Sequence, residues 1–204
     1  MDQKRKIGLL GGSFDPIHFG HLNLAASIKT KLNLDEIWFV IAKINPLKQN
    51  RAPIPFVHRL AMVELAIKGI EGYAIKELEN LRTEVSYTID TLKEFVKTNP
   101  QCDFYLILGY DAIKNFENWK SYKEIMQLCT IVIGTRAGEK PEIIFKDKTL
   151  CNQILKNIVE IPPLQISSTE IRERLKLNKN CEDLLPKAVL DYIYLHLLYR
   201  DMSD

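Results

Sequence analysis

Hydrophobic and polar positions alternate between two rhythms along the chain. Six short, largely apolar runs predict buried strands: Ile7–Leu10, Ile37–Ala42, Tyr73–Ile75, Phe104–Leu108, Thr130–Gly134 and Ile158–Ile161. Between them the apolar spacing switches to three and four, as in Leu22, Ala25, Ala26 and Leu32, in Leu60, Val63, Leu65 and Ile67, and in Ile89, Leu92, Phe95 and Val96. That spacing places the apolar residues on one face of a helix. Runs such as Phe104-Tyr105-Leu106-Ile107-Leu108 are apolar on both faces, as parallel strands covered by helices on both sides must be. The expected fold is therefore α/β, a doubly wound, mostly parallel sheet.

Helix boundaries follow from local chemistry. Ser121-Tyr122-Lys123-Glu124 and Ser167-Ser168-Thr169-Glu170 both match the capping box and predict helix starts. Pro186 suits the first turn of a last helix, with Val189, Tyr192, Ile193 and His196 along one face. From about Thr169 onward the chain reads as a small C-terminal helical appendage within a single domain spanning 1–204. Residues 137–157, with Gly138, Pro141 and a lysine-rich tract, show no clear period and predict a surface excursion.

A chain of 204 residues fits one domain with a sizeable core. No apolar run approaches the roughly 18–20 residues that a spanning helix needs, so a cytoplasmic protein without a membrane partner is expected. Cys102, Cys129, Cys151 and Cys181 lie far apart, with no C-x-x-C and no histidine at ligand spacing; they read as buried thiols. A formal charge of +2 makes no case for nucleic acid. Any anion must be held locally.

The stretch GGSFDPIHFGH, residues 11–21, is where such holding is expected. It joins the first strand to the first helix, yet its glycines do not match G-x-G-x-x-G, and no Gly-Lys-Ser/Thr follows. Gly11 and Gly12 let backbone approach a ligand closely. His18 and His21, three apart, fall on one face beside the positive end of a helix. A lone histidine there is usually a helix-start residue; two beside a Gly-Gly turn suit a polyphosphate.

These residues also resemble a known signature. Gly11-Gly12-Ser13-Phe14-Asp15-Pro16-Ile17-His18-Phe19-Gly20-His21 is similar to the HxGH region of the nucleotidylyltransferase superfamily, and Ile166-Ser167-Ser168-Thr169-Glu170-Ile171-Arg172 to its ISSTxIR motif. Ser86-Tyr87-Thr88 and Leu108-Gly109-Tyr110-Asp111 followed by Trp119 resemble motifs of the bacterial nicotinate-nucleotide adenylyltransferases in particular, as does the tail Val189-Leu190-Asp191-Tyr192-Ile193. The likeness runs from residue 7 to about 195. Three positions depart from it: Leu47 stands where relatives often have histidine, Ala137 follows Arg136 in place of proline, and Lys120 follows Trp119 where some carry tyrosine.

The resemblance implies a Rossmann-like nucleotidylyltransferase fold and the joining of ATP to nicotinate mononucleotide with release of pyrophosphate, a step in NAD biosynthesis. It implies His18, His21 and Arg172 as catalytic residues. Gly11, Gly12, Ser13, Phe14, Lys48, Gly109, Asp111, Ser167, Ser168 and Thr169 join them around ATP, and Asp15, Tyr87, Thr88, Trp119 and Arg136 around the mononucleotide. Mg²⁺ is expected on the ATP phosphates, since no carboxylate cluster suggests an all-protein site. Two rival readings are a phosphopantetheine adenylyltransferase, which shares only the first motif and is shorter, and an idle nucleotide sensor on the same fold. Whether the chain forms a homo-oligomer is not legible in the sequence.

Overall fold

Each apolar run is a strand in the computed structural model, which describes residues 4–43, 53–77, 87–136 and 145–200. The strands are β1 (Arg5–Gly12), β2 (Glu36–Ile41), β3 (Tyr73–Lys76), β4 (Cys102–Gly109), β5 (Thr130–Arg136) and β6 (Ile158–Ile161). All neighbours run parallel, in the order β3-β2-β1-β4-β5-β6. The chain builds outward from β1 to β3, then returns to pair β4 with the free side of β1. At that reversal the loops after β1 and β4 diverge, leaving a crevice beyond the carboxyl ends of the two strands.

The helices are α1 (Phe19–Lys31), α2 (Phe56–Ile67), α3 (Thr88–Thr98), α4 (Tyr110–Ile113), α5 (Tyr122–Leu128), α6 (Lys148–Lys156), α7 (Ser168–Lys176) and α8 (Lys187–Leu195). A 3₁₀ turn, Phe116–Asn118, separates α4 from α5. Alternate strand residues feed two cores. Ile37, Phe39, Ile107 and Val132 face α1, α2, α7 and α8, while Leu9, Trp38, Leu106 and Ile133 face α3, α5 and α6. Doubly wound packing thus explains why the strands read as continuous apolar runs. Leu175, Leu185, Val189 and Ile193 of the C-terminal segment join the first of these cores.

Three expectations need correction. Residues 137–157 are not all excursion: Lys148–Lys156 is a helix whose Asp147 side chain accepts from the Thr149 and Leu150 N–H groups. Leu150 and Ile154 are fully buried, each contributing about 1.5–3 kcal/mol relative to an exposed side chain. Leu150, Cys151, Ile154 and Leu155 recur at helical spacing, a short apolar face that the flanking lysines obscure. α5 does start after Ser121, but the Ser121 backbone is left-handed (φ 55) and its side chain makes no cap bond; Glu124 pairs instead with Lys93 at 2.8 Å. Pro186 precedes the last helix, which begins at Lys187.

Candidate active site

The loop after β1 is shaped by its aromatic and its glycines. Phe14 takes a left-handed backbone (φ 47) and turns its ring into the core beneath Gly12, where an added Cβ would stand 3.0 Å from that ring. A side chain at Gly12 would thus need Phe14 to move. Phe14 meets the His21 ring edge-on at 5.1 Å and packs against Phe39. His18 is the N-cap of α1 in extended conformation, and its backbone N–H donates to His21 Nδ1 at 3.3 Å. The two imidazoles stack with centroids 3.7 Å apart and planes 27° from parallel. A Cβ at Gly20 would lie 2.9 Å from the His18 ring, so glycine between the histidines is what permits the stack.

The second motif, 150 positions later, packs against the first. Ser167 is the N-cap of α7 and accepts from the Glu170 N–H. Helix geometry leaves the Ser168 and Thr169 N–H groups without an intrahelical acceptor. Ser168 Oγ donates to the Pro16 carbonyl at 3.0 Å. Arg172 Nη1 donates to the Asp15 carbonyl at 2.7 Å and Nη2 to Thr169 Oγ1 at 3.1 Å. Arg172 Nε is buried and has no partner among the described residues. Arg174, two positions on, pairs instead with Glu170 at 2.7 Å on the outer side of the helix. Capping therefore accounts for Ser167 alone; Ser168 and Arg172 face the signature loop.

Beside the Gly11-Gly12 backbone lies an apolar cavity of about 200 Å³, lined by Tyr87, Thr88, Thr91, Leu108, Trp119 and Lys120 among others. Tyr87 is the N-cap of α3 and Thr88 its first residue, so a helix start opens on this cavity. Trp119 packs against Phe116 with ring centroids 5.1 Å apart, and its indole N–H is buried without a partner among the described residues. Its ring is thus partly core and partly cavity wall. Lys120 stands over the Tyr87 ring at 4.4 Å and pairs with Asp90 at 3.2 Å. A larger open groove, about 1320 Å³ between α5 and α6, contains none of the signature residues.

Other expected site residues are placed as follows. Gly109 ends β4 as the N-cap of α4, at the crevice. Asp111 is exposed there and pairs with Lys114 at 3.0 Å. The Arg136 backbone ends β5, in register with Ile161. Ser13 offers its carbonyl to Arg59. Lys48 lies outside the described residues. Asp15, only 7% exposed, accepts from the Tyr199 hydroxyl at 2.7 Å, with Arg172 Nη1 3.9 Å from its other oxygen.

Sequence reasoning missed Arg59. This arginine of α2 is 1% exposed and donates to the carbonyls of Ser13 (2.8 Å), Ala42 (2.6 Å), Lys43 (3.2 Å) and Ile54 (3.1 Å). It ties the loop after β1 to both ends of the 43–54 connection. The one available signal was a charge on the apolar face of its helix, between Phe56 and Met62. Tyr199, beyond the last helix, carried no signal at all. Of the cysteines, Cys102, Cys129 and Cys181 are buried and Cys151 half-buried, all unpaired. Burial pushes the Cys129 thiol up to about 12, which removes it from nucleophilic chemistry.

A family model described as cytidylyltransferase-like matches residues 9–174. A Streptococcus mutans protein named "probable nicotinate-nucleotide adenylyltransferase" is 39% identical over 98% of this chain and 91% of its own length. A Bacillus cytotoxicus protein of the same name is 39% identical over 96% and 99%. Among solved structures, the Plasmodium falciparum nicotinic acid mononucleotide adenylyltransferase complexed with NaAD superposes with a TM-score of 0.78 at 27% identity, covering 96% of this chain and 97% of that one. With both signature motifs brought together at the strand reversal of a parallel sheet, the chain belongs to the cytidylyltransferase-like family and, within it, to the nicotinate-nucleotide adenylyltransferases.

Proposed function

We infer that the chain transfers the adenylyl group of ATP to nicotinate mononucleotide, forming nicotinate adenine dinucleotide and pyrophosphate. One observation supports this above the others: stacked His18 and His21, the start of α7 and Arg172 converge on one loop, beside an aromatic-walled cavity. Two anions must meet there. A phosphate oxygen of the mononucleotide attacks the α-phosphorus of ATP, and the bond from that phosphorus to the bridging oxygen breaks. Its electron pair leaves with pyrophosphate. The protein's task is alignment and charge stabilisation, with no covalent intermediate.

In this reading His18, His21, Lys48 and Arg172 surround the triphosphate, with backbone donors from Gly11, Gly12, Ser168 and Thr169. Gly109 and Asp111 meet the adenosine ribose. Trp119 stacks on the pyridine ring, while Tyr87 and Thr88 present donors to its carboxylate, and Asp15 and Arg136 lie toward the mononucleotide phosphate. The substrate is the magnesium complex of ATP. Among the described residues no three histidines, cysteines or carboxylates form a metal cluster, and the cationic and N–H donors of the loop fit a nucleotide that brings its own Mg²⁺. A reaction fed by ATP suits a cytoplasmic enzyme. No described helix is long and apolar enough to cross a membrane.

Pyrophosphate release tests the assignment, using MgATP with nicotinate mononucleotide, nicotinamide mononucleotide and 4′-phosphopantetheine as acceptors. Turnover highest with nicotinate mononucleotide is expected. Preference for phosphopantetheine, or ATP binding without turnover on any acceptor, would overturn it.

A further inference from the structure

The chain passes beyond α8 into a tail that folds back on the helix, the Leu198 N–H donating to the Ile193 carbonyl at 3.0 Å. Tyr199 follows in the left-handed region (φ 63), a conformation a bulky L-residue adopts only when tertiary contacts hold it there. Its side chain is 7% exposed and reaches across to the signature loop, 184 positions earlier, where its hydroxyl donates to Asp15 Oδ1 at 2.7 Å. Asp15 is itself a junction. Its other carboxylate oxygen faces Arg172 Nη1 at 3.9 Å, and its backbone carbonyl accepts from that same nitrogen at 2.7 Å.

We propose that Tyr199 is a positioning residue: its hydroxyl fixes the Asp15 carboxylate and, through Asp15, the Arg172 guanidinium that receives the nucleotide phosphates. This role rests on the function inferred above. The ring joins the core beside α8, but packing alone does not require the hydroxyl, whose hydrogen bond goes to the signature loop. Burial first, and then the Asp15 charge, drive the phenol pKa far upward against the opposing pull of Arg172 and Arg59, so the hydroxyl remains a donor. With Oδ1 held by the Tyr199 hydroxyl and Oδ2 3.9 Å from Nη1, the carboxylate gives Arg172 one fixed counter-ion. With the hydroxyl gone, Asp15 is free to turn toward Arg172 as a closer ion pair, which competes with a phosphate for the same guanidinium.

Tyr199→Phe removes a single oxygen and keeps the ring that fills the site. Expected is a rise of about fivefold or more in KM for ATP, with kcat within about twofold of the parent. Because the effect passes through Arg172, it should largely vanish in an Arg172→Lys background, since residues sharing one network are non-additive. A purely structural role would lower the melting temperature and the active fraction, leaving KM for ATP unchanged. A parental KM for ATP in Tyr199→Phe, or equal losses in both backgrounds, would overturn the proposal while the adenylyl transfer stands. A parent enzyme that neither turns over nor binds MgATP by calorimetry would overturn both.

Discussion

Single residues divide here between those proposed to meet ligand and those that hold them. Trp119 and the start of α3 at Thr88 wall the same cavity, and they make separable demands. A ring stacks on either pyridine mononucleotide, whereas N–H and hydroxyl groups donate to a carboxylate and oppose the NH₂ of an amide; a buried mismatch of that kind costs about 1–3 kcal/mol. kcat/KM for nicotinate mononucleotide should exceed that for nicotinamide mononucleotide by at least ~10-fold, as one decade is about 1.4 kcal/mol. Trp119→Ala should weaken both with little change in their ratio; equal parental efficiencies would remove the donors from the specificity. Arg59 holds rather than meets. Its fork reaches four carbonyls on three segments, which an ammonium cannot span. Arg59→Lys should therefore lower thermal stability and raise KM for ATP together. A melting temperature and KM both at parental values would show that the charge alone suffices.

Among elements, α7 and α6 show how one local device, the N-cap, serves two ends. Ser167 caps α7 for stability, and its removal to alanine should cost about 0.5–2 kcal/mol in denaturant unfolding. Arg172, on the inner face, ties Thr169 to the Asp15 carbonyl, while Arg174 pairs outward with Glu170. Arg172→Lys should raise KM for ATP or slow turnover, and Arg174→Lys should do little; equal effects would make general surface charge responsible. In α6 the Leu150 and Thr149 N–H groups, with Tyr122, hold the Asp147 carboxyl below the usual carboxylate range. A depressed folded pKa means that the cap contributes fully above the unfolded value near ~3.9 and fades as pH falls through the lower folded value. The stability gap between the parent and Asp147→Ala should be flat from pH 8 to 5 and close only in stronger acid. A gap that already narrows at pH 6 would contradict this. What was legible depended on signal density. The six strands carried several apolar residues each, whereas the Leu150, Cys151, Ile154 and Leu155 face of α6 is short and flanked by lysines, and no motif announces the left-handed backbone that keeps the Ser121 side chain from capping α5.

For the whole molecule, strand order does what neither motif does alone. The signature loop follows β1, the Gly109–Asp111 segment follows β4, and the pairing of β1 with β4 sets them side by side. The Ile166–Arg172 segment then arrives from β6 across the top of α1, with Ser168 on the Pro16 carbonyl. His18, His21, Ser168 and Arg172 stood out in the sequence because their residue types and spacing suit phosphates, and the fold brings them together. Arg59 and Tyr199 were not, since each acts through contacts 46 and 184 positions away that only the fold creates. The central claim is that this one assembled site performs the transfer, with His18 stabilising charge in the transition state. Steady-state kinetics of His18→Ala with MgATP and nicotinate mononucleotide bear on it most directly. Loss of one preorganised donor should lower kcat by about 10²–10³ with KM values changed only a few-fold. A folded variant within about threefold of the parental kcat, less than ~1 kcal/mol in barrier, would remove His18 from the chemistry and contradict the assignment of this site.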